Sequence, residues 1–147
     1  MEKLILPNDV MLDSVREMLS EGHKVVLMTR GCSMLPFIVG DRDSVELERR
    51  SAYCCGDIVL AFTEDRRWVL HRILSPSENG FVLKGDGNLS GTERCSRENV
   101  AGAVCRIIKP HGEVNCATGS FARRSALWRN MPYIVSRVIL GTIRRII

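Results

Sequence analysis

A serine at a glycine-led turn is the first group in this 147-residue chain with a type and setting suited to chemistry. Ser33 is followed by Met34 and, three positions after the serine, by Pro36, while Gly31 precedes it by two positions. The apolar run Val25–Met28 leads into this turn. A serine nucleophile must be exposed at such a sharp turn and needs a base within reach. The stretch therefore predicts Ser33 as a candidate nucleophile.

His71 is the candidate base for that serine. It belongs to an apolar strand pattern in which it shares one face with Val69 and Ile73. No lysine lies between Lys24 and Lys84, so the strand of His71 offers no lysine as a base. Partial burial there keeps an imidazole neutral, which is the form that a base requires. The alternative is a histidine that only contributes to packing.

Two acids are candidates for orienting the second ring nitrogen of His71. Asp86 lies in the glycine-rich segment 84–88, and Glu93 follows a few residues later. A histidine base works better when an acceptor holds its other nitrogen. Asp86 is slightly favoured here, although it can instead cap its own turn through the backbone. Glu93 stays open as the alternative.

These blocks, in this order, resemble the serine peptidases that include the type I signal peptidases and the LexA-like self-cleaving repressors. The superfamily's first motif is Ser-Met-x-Pro, which matches residues 33–36. Bacterial signal peptidases and the repressors carry a lysine base, usually next to an arginine, on a later strand. Microsomal signal peptidases carry a histidine there. His71 stands directly before Arg72, so the chain is similar to the histidine variant.

Further motifs extend this resemblance to residues 25–108. The superfamily has a Gly-Asp pair at the start of a strand, and residues 40–41 and 56–57 both fit it. Its last motif is a Gly-Asp pair, a polar stretch with an acid, and a valine-rich strand. Residues 85–86, Glu93 and the segment 100–104 match that order. The microsomal family has an aspartate a few residues beyond its Gly-Asp pair, where this chain offers only Glu93.

The resemblance implies peptide hydrolysis through an acyl-enzyme, with no metal and no cofactor. In that mechanism Ser33 attacks, His71 acts as base and then as acid, and Asp86 or Glu93 orients the imidazole. The backbone N–H of Ser33 binds the oxyanion. Many signal peptidases have a serine two positions before the nucleophile, whereas this chain has Gly31, like the repressor branch. The implied substrate is an extended segment of a peptide or protein.

Three other interpretations stay open. The chain can be a non-catalytic binding module on the same fold, because the hydroxyl donor at position 31 is missing and the orienting acid is ambiguous. It can be a LexA-like self-cleaving regulator, although only about 30 residues precede the serine, too few for a helix-turn-helix domain and a linker. Finally, Cys32 is a rival nucleophile, although a small residue that fills the turn is the simpler interpretation.

Composition argues against several kinds of binding partner and against export or membrane insertion. Aromatic residues make up 5% of the chain, which argues against a nucleic-acid module that stacks bases. The six cysteines include no Cys-x-x-Cys pair and are expected to be reduced thiols, so a metal site using His23 or His111 is disfavoured. No signal peptide pattern is visible, and no run approaches the ~20 apolar residues of a membrane span. The prediction is a cytoplasmic protein, unlike the membrane-anchored signal peptidases.

Hydrophobic periodicity predicts a mainly β fold with helical ends. A helix begins at Asn8 or Asp9 and ends at Gly22. Strand patterns cover residues 24–29, 44–48, 57–62, 68–74, 80–84 and 100–109. Several short strands at regular spacing predict a compact antiparallel sheet or barrel. This agrees with the coiled β fold of the signal peptidase and LexA-like proteins that the resemblance implies.

The C-terminal segment differs from the rest of the chain. Residues 1–120 are predicted to form the peptidase-like domain, and residues 121–147 a basic amphipathic helix with Asn130 as its cap and Pro132 in its first turn. One side of this helix is predicted to be apolar and the other to carry arginines. We expect it either to pack on its own domain or to make peripheral contact with a membrane.

Overall fold

The computed structural model describes residues 3–5 and 9–146, with side chains described from residue 10 to residue 146. Within these residues the strands are β1 (Lys3–Ile5), β2 (Val25–Met28), β3 (Ser44–Glu48), β4 (Ile58–Phe62), β5 (Trp68–Ser77), β6 (Gly80–Lys84), β7 (Glu93–Ser96), β8 (Val100–Lys109) and β9 (Gly112–Asn115). The helices are α1 (Asp9–Ser20), α2 (Gly119–Arg129) and α3 (Tyr133–Ile146), and a single 3₁₀ turn spans Arg97–Asn99.

The described strands form one curled half-barrel sheet. Its order is β1-β2-β3-β8-β4-β5-β6-β7, and β9 pairs with β8. The pairing is antiparallel throughout, except that β1 runs parallel to β2. The register shifts in the β3–β8, β4–β8 and β5–β6 pairs. Such bulges bend a strand and increase its twist, which explains why the sheet coils instead of lying flat.

Each face of the sheet has its own apolar core. On one face α1 covers the sheet with Leu12, Val15 and Leu19, which are at most 6% exposed. On the other face the curl of the sheet encloses a second cluster, which includes Val59, Ala61, Val69, Ile73, Phe81, Leu83, Cys95, Val100 and Ala103. Because successive strand residues point to opposite faces, neighbours in β5 contribute to different cores. This alternation decides the surroundings of the candidate base.

The predicted fold class is confirmed, and most element bounds agree with the prediction. Strand β8 has the predicted bounds, β5 runs three residues further than expected, and α1 ends just before Gly22, whose φ is +91°. The proposed cap Asn8 lies outside the described residues. The pattern-based prediction did not include β1, β7, β9 or α2. Strand β7 has the polar sequence ERCS and is extended because it pairs with β6.

The C-terminal segment forms two helices where one was predicted. Helix α2 begins after the cap Thr118, whose side chain accepts a hydrogen bond from the N–H of Phe121. It buries only Phe121 and Ser125, too few apolar positions for an amphipathic pattern. Helix α3 follows a short turn. No helix in the described part of the chain is long and apolar enough to cross a membrane.

Candidate active site

Ser33 lies in the long loop between β2 and β3, and a buried aspartate holds both ends of that loop. Asp43 is fully buried, and its carboxylate accepts hydrogen bonds from the N–H of Val39, from Arg42 and from Lys109. The backbone oxygen of Asp43 accepts from both the N–H and the hydroxyl of Thr29. Ser33 itself is half-buried. The loop is thus anchored at its base while the turn with the serine projects from the sheet.

The serine turn packs backbone to backbone on the glycine-rich turn after β6. The N–H of Gly87 donates to the carbonyl oxygen of Ser33 at 2.8 Å. A Cβ on Gly85 would lie 2.4 Å from that same oxygen, and a Cβ on Gly87 would lie 2.2 Å from the carbonyl oxygen of Cys32. Neither contact leaves room for a side chain. Glycine at these two positions is what allows the two turns to meet.

Strand pairing brings His71 next to the contact between the Ser33 turn and the glycine-rich turn. In the β5–β6 pair Arg72 stands opposite Lys84, so His71 lies across from the residue just beyond the end of β6, which is Gly85. The Nε2 atom of His71 is 3.1 Å from the Cβ position of Gly85, on the side where Ser33 lies. Ser33 and His71 therefore line one cleft of about 430 Å³.

The acid beside His71 is Glu93. In the β5–β6–β7 row, Ile73 pairs with Leu83 and Leu83 pairs with Glu93, so these residues share one face of the sheet. His71 lies two residues before Ile73 and points to that same face. Its Nδ1 atom is 2.7 Å from Oε1 of Glu93, and both side chains are 6% exposed. The ring N–H is not directed at this oxygen, so the contact is a close polar approach without an aligned hydrogen bond.

Burial sets the protonation of this pair. It lowers the pKa of His71 from 6.5 to about 4; the positive charge of Arg67 acts in the same direction and Asp86 acts against it. Burial also raises the pKa of Glu93, while the charge of Arg67 opposes that rise. Arg67 is largely exposed, and its Nη2 atom lies 3.7 Å from Oε1 of Glu93. At neutral pH the imidazole is therefore unprotonated and able to accept a proton.

Asp86 is engaged elsewhere, in a buried ion pair with Arg72. The guanidinium donates to both carboxylate oxygens, at 2.8 and 2.6 Å, and its third contact is with the carbonyl oxygen of Gly56 at 2.8 Å. Both side chains are at most 3% exposed. The rings of Phe37 and Phe121 lie 5.0 and 5.8 Å from the Arg72 Cζ atom. Arg72 is thus a structural, ion-paired residue.

Ser33 and His71 line the cleft, Glu93 contacts His71 through Nδ1, and the carboxylate of Asp86 is paired with Arg72 instead. Between the two acids that the sequence left open, Glu93 is the neighbour of the imidazole. Among the described residues no hydrogen bond joins the Ser33 hydroxyl to His71, although both residues line the cleft. Catalytic hydrogen bonds are often long before substrate binds and tighten afterwards. Cys32, the rival nucleophile, is exposed beside Ser33.

Four supporting residues of this site escaped the sequence analysis. They are Asp43, Arg67, Asn88 and Trp128. Asn88 lines the cleft, and its Nδ2 atom lies 2.8 Å from the Gly85 Cβ position. Trp128 donates from Nε1 to the carbonyl oxygen of Asp86 at 2.9 Å, a contact across 42 residues of sequence. Only Asn88 carried a local signal, since it ends the glycine-rich segment. The others act over distances that no sequence spacing indicates.

Comparisons with known proteins identify no relative of this chain. No model of a protein family matches the chain, and no curated protein matches it either. Among the described residues, no group of three or more histidine, cysteine, aspartate or glutamate side chains has a geometry that could hold a metal ion.

Proposed function

We propose that the protein is a serine peptidase of the signal peptidase and LexA-like type, in which a histidine is the base. The observation that carries the proposal is the packing of the Ser33 turn on Gly85 and Gly87. That packing puts the serine in the same cleft as His71, whose second ring nitrogen lies 2.7 Å from Glu93. This neighbourhood of serine, histidine and acid supports hydrolysis through an acyl-enzyme as the proposed reaction.

Each side chain has a defined role in the proposed reaction. The Ser33 hydroxyl attacks the scissile carbonyl while Nε2 of His71 accepts its proton, and the same proton then goes to the leaving amine. Glu93, whose Oε1 atom lies 2.7 Å from Nδ1, is the carboxylate that stabilises the imidazolium as it forms, once Nδ1–H turns toward it. The backbone N–H of Ser33, which has no hydrogen-bond partner among the described residues, stabilises the oxyanion. His71 then activates a water that hydrolyses the acyl-enzyme.

A free strand edge supports an extended peptide as substrate. The β5 strand begins at Trp68, but β6 pairs with it only from Arg72 onward. Residues 68–71 therefore pair with β4 alone, and all four line the cleft beside Ser33. An extended peptide can add to such an edge through main-chain hydrogen bonds, which would lay its backbone across the serine.

A non-catalytic peptide-binding module is the second candidate, and one observation favours it. Burial lowers the pKa of His71 to about 4, which makes the imidazole a weak base, and no hydrogen bond joins it to Ser33 among the described residues. The same edge of β5 and the same cleft would then bind a peptide without cleaving it.

Cleavage of a peptide library, followed by mass spectrometry, tests the proposal. The protein is incubated with extended peptides, including sequences rich in small side chains, and the products are mapped. The intact protein incubated alone reports self-cleavage in the same measurement. A serine-directed electrophile is applied in parallel, and the labelled peptide is identified. Cleavage with modification of Ser33 is the expected result.

Matched variants identify the nucleophile. Ser33→Ala should abolish cleavage and labelling, whereas Ser51→Ala, at another exposed bend, should leave both unchanged. Activity retained in Ser33→Ala and lost in Cys32→Ala would transfer the role to Cys32. Peptide binding with no cleavage by any of these proteins would favour the binding module instead.

A further inference from the structure

Helix α3 is held on the domain by a narrow strip of its surface. Ser136 and Leu140, one turn apart, are the residues it buries. In addition, Nη2 of Arg144 donates to the carbonyl oxygen of Gly87 at 3.0 Å, in the turn that contacts Ser33. The buried strip is therefore not the broad apolar side that the sequence predicted, and that side is left largely uncovered.

The uncovered surface, here termed the outer face of α3, consists of Ile134, Val135 and Val138 together with Arg137 and Arg145. The three apolar side chains are 73%, 44% and 63% exposed. Both arginines are exposed as well. A helix that serves only to complete its own domain would turn such residues inward, because burying one aliphatic side chain contributes about 1.5–3 kcal/mol. The outer face thus has the character of a surface that another apolar phase covers.

The charged residues of the C-terminal segment that contains this face are all positive. No acidic residue follows Glu113, and the six charged side chains after it are all arginines. An apolar strip flanked by arginines, on a helix that lies along the protein surface, suits the interface of an anionic bilayer: the aliphatic groups enter the acyl boundary and the guanidinium groups reach the headgroups. We propose that the outer face of α3 binds the surface of an anionic membrane.

Charge also argues against a second copy of the chain as the occupant. A symmetric contact through the outer face would bring Arg137 and Arg145 of one copy close to the same arginines of the other. No carboxylate from this segment would be present to neutralise them. Such like-charge contact is unfavourable, whereas an anionic lipid surface supplies the missing negative charge.

Flotation with lipid vesicles tests the proposal without any measurement of activity. The full chain, as Ser33→Ala to exclude proteolysis, is mixed with vesicles of phosphatidylcholine alone or with added phosphatidylglycerol. We expect co-flotation with the anionic vesicles and weaker binding at high salt, because salt screens the arginine contribution. Failure of peptide cleavage would leave this result unaffected, so the two proposals fail separately.

Matched substitutions locate the contact. Ile134→Ser, which removes a side chain that is 73% exposed, should lower vesicle binding about tenfold. Val10→Ser on α1, at 77% exposure, should not change it. Arg145→Gln should lower binding about fivefold at low salt, and Arg94→Gln on β7 should not. Deleting the whole segment would be less informative, because Trp128 and Arg144 support the turn at residues 86–87.

Three outcomes would overturn the proposal. The first is absence of the intact protein from the anionic vesicle fraction. The second is equal flotation of Ile134→Ser and Val10→Ser. The third is sedimentation of the protein as a dimer that Ile134→Ser dissociates, since a second copy would then cover the outer face. Circular dichroism of each variant confirms that these exposed substitutions leave the fold intact.

Discussion

Two adjacent residues of β5 each meet a buried acid, and the two pairs differ in kind. His71 lies against Glu93 on one face of the sheet, and Arg72 forms an ion pair with Asp86 on the other. The Arg72 pair has two aligned hydrogen bonds and a third contact with the carbonyl of Gly56, so its charges are satisfied.

The His71 pair is buried but not satisfied. The ring N–H of His71 is misaligned with Glu93. Burial lowers the pKa of His71 and raises the pKa of Glu93, so it favours the neutral form of each side chain. A buried ion pair with all its hydrogen bonds made is typical of a structural role, whereas a buried titratable pair with shifted pKa values beside a cleft is a candidate for chemistry. Substitutions in the His71 pair should therefore lower activity more than stability, and substitutions in the Arg72 pair should do the opposite.

His71→Gln should abolish most peptide cleavage while leaving the protein folded. Removing a general base costs about 10²–10⁴-fold in rate, and glutamine keeps much of the side-chain volume. The free energy of unfolding at neutral pH should change by less than about 2 kcal/mol. The measurements are kcat/KM on a cleaved peptide and urea unfolding, with His111→Gln as an exposed control. A large loss of stability without loss of activity would make His71 the structural residue.

Asp86→Ala should do the reverse and destabilise the protein strongly. Removing one partner of a buried ion pair leaves Arg72 as an uncompensated buried charge, which costs about 3–5 kcal/mol. Urea unfolding measures this effect. The double variant Arg72→Met/Asp86→Leu should recover most of the loss, because no buried charge remains. If Asp86→Ala stays stable but loses cleavage, Asp86 and not Glu93 is the acid that orients the base.

Protonation of His71 should make stability depend on pH in a defined window. The unfolded histidine titrates near 6.5 and the folded one at about 4, so the unfolded state takes up the proton first as pH falls. Stability is therefore unaffected by this group above pH 6.5 and falls between pH 6.5 and 4, by about 3 kcal/mol relative to neutral pH. His71→Gln should lack this loss. The test is the difference in unfolding free energy between wild type and His71→Gln across this window. A flat difference would contradict the buried, neutral imidazole.

Glu93→Gln should have the smallest effect, and mainly on the reaction. A hydrogen bond to a charged group contributes about 1.5–3 kcal/mol, so losing the carboxylate beside a forming imidazolium should lower kcat/KM about tenfold to a hundredfold. Stability should hold or rise slightly, because burial opposes the charged carboxylate. The exposed Glu78→Gln is the matched control. Equal activity of both variants would remove Glu93 from the mechanism.

The local hydrophobic pattern predicts most of the helices and strands. Apolar periodicity located α1 and the strands from β2 to β6 as well as β8, because each buries a face whose spacing is visible in the sequence. It could not find β7, which is polar and becomes a strand only by pairing with β6. It could not find α2 either, since that helix buries just Phe121 and Ser125.

Residue types along the chain show which groups are available for chemistry. Ser33 stands two residues after Gly31 in a turn, and β5 carries His71 and no lysine. Glycines stand at positions 85 and 87, where the two turns contact each other through their backbones. These are local choices of residue type, and each has a local physical reason.

The pairing of those groups depends on how the strands and turns meet in the folded protein. Sheet register across β5, β6 and β7 put Glu93 on the face of His71, and strand alternation turned Arg72 toward Asp86. The packing of α3 on the domain, which includes the hydrogen bond from Arg144 to Gly87, leaves Ile134 and Val138 exposed. Such pairings depend on contacts between segments far apart in the chain, and residue spacing along one segment carries no information about them.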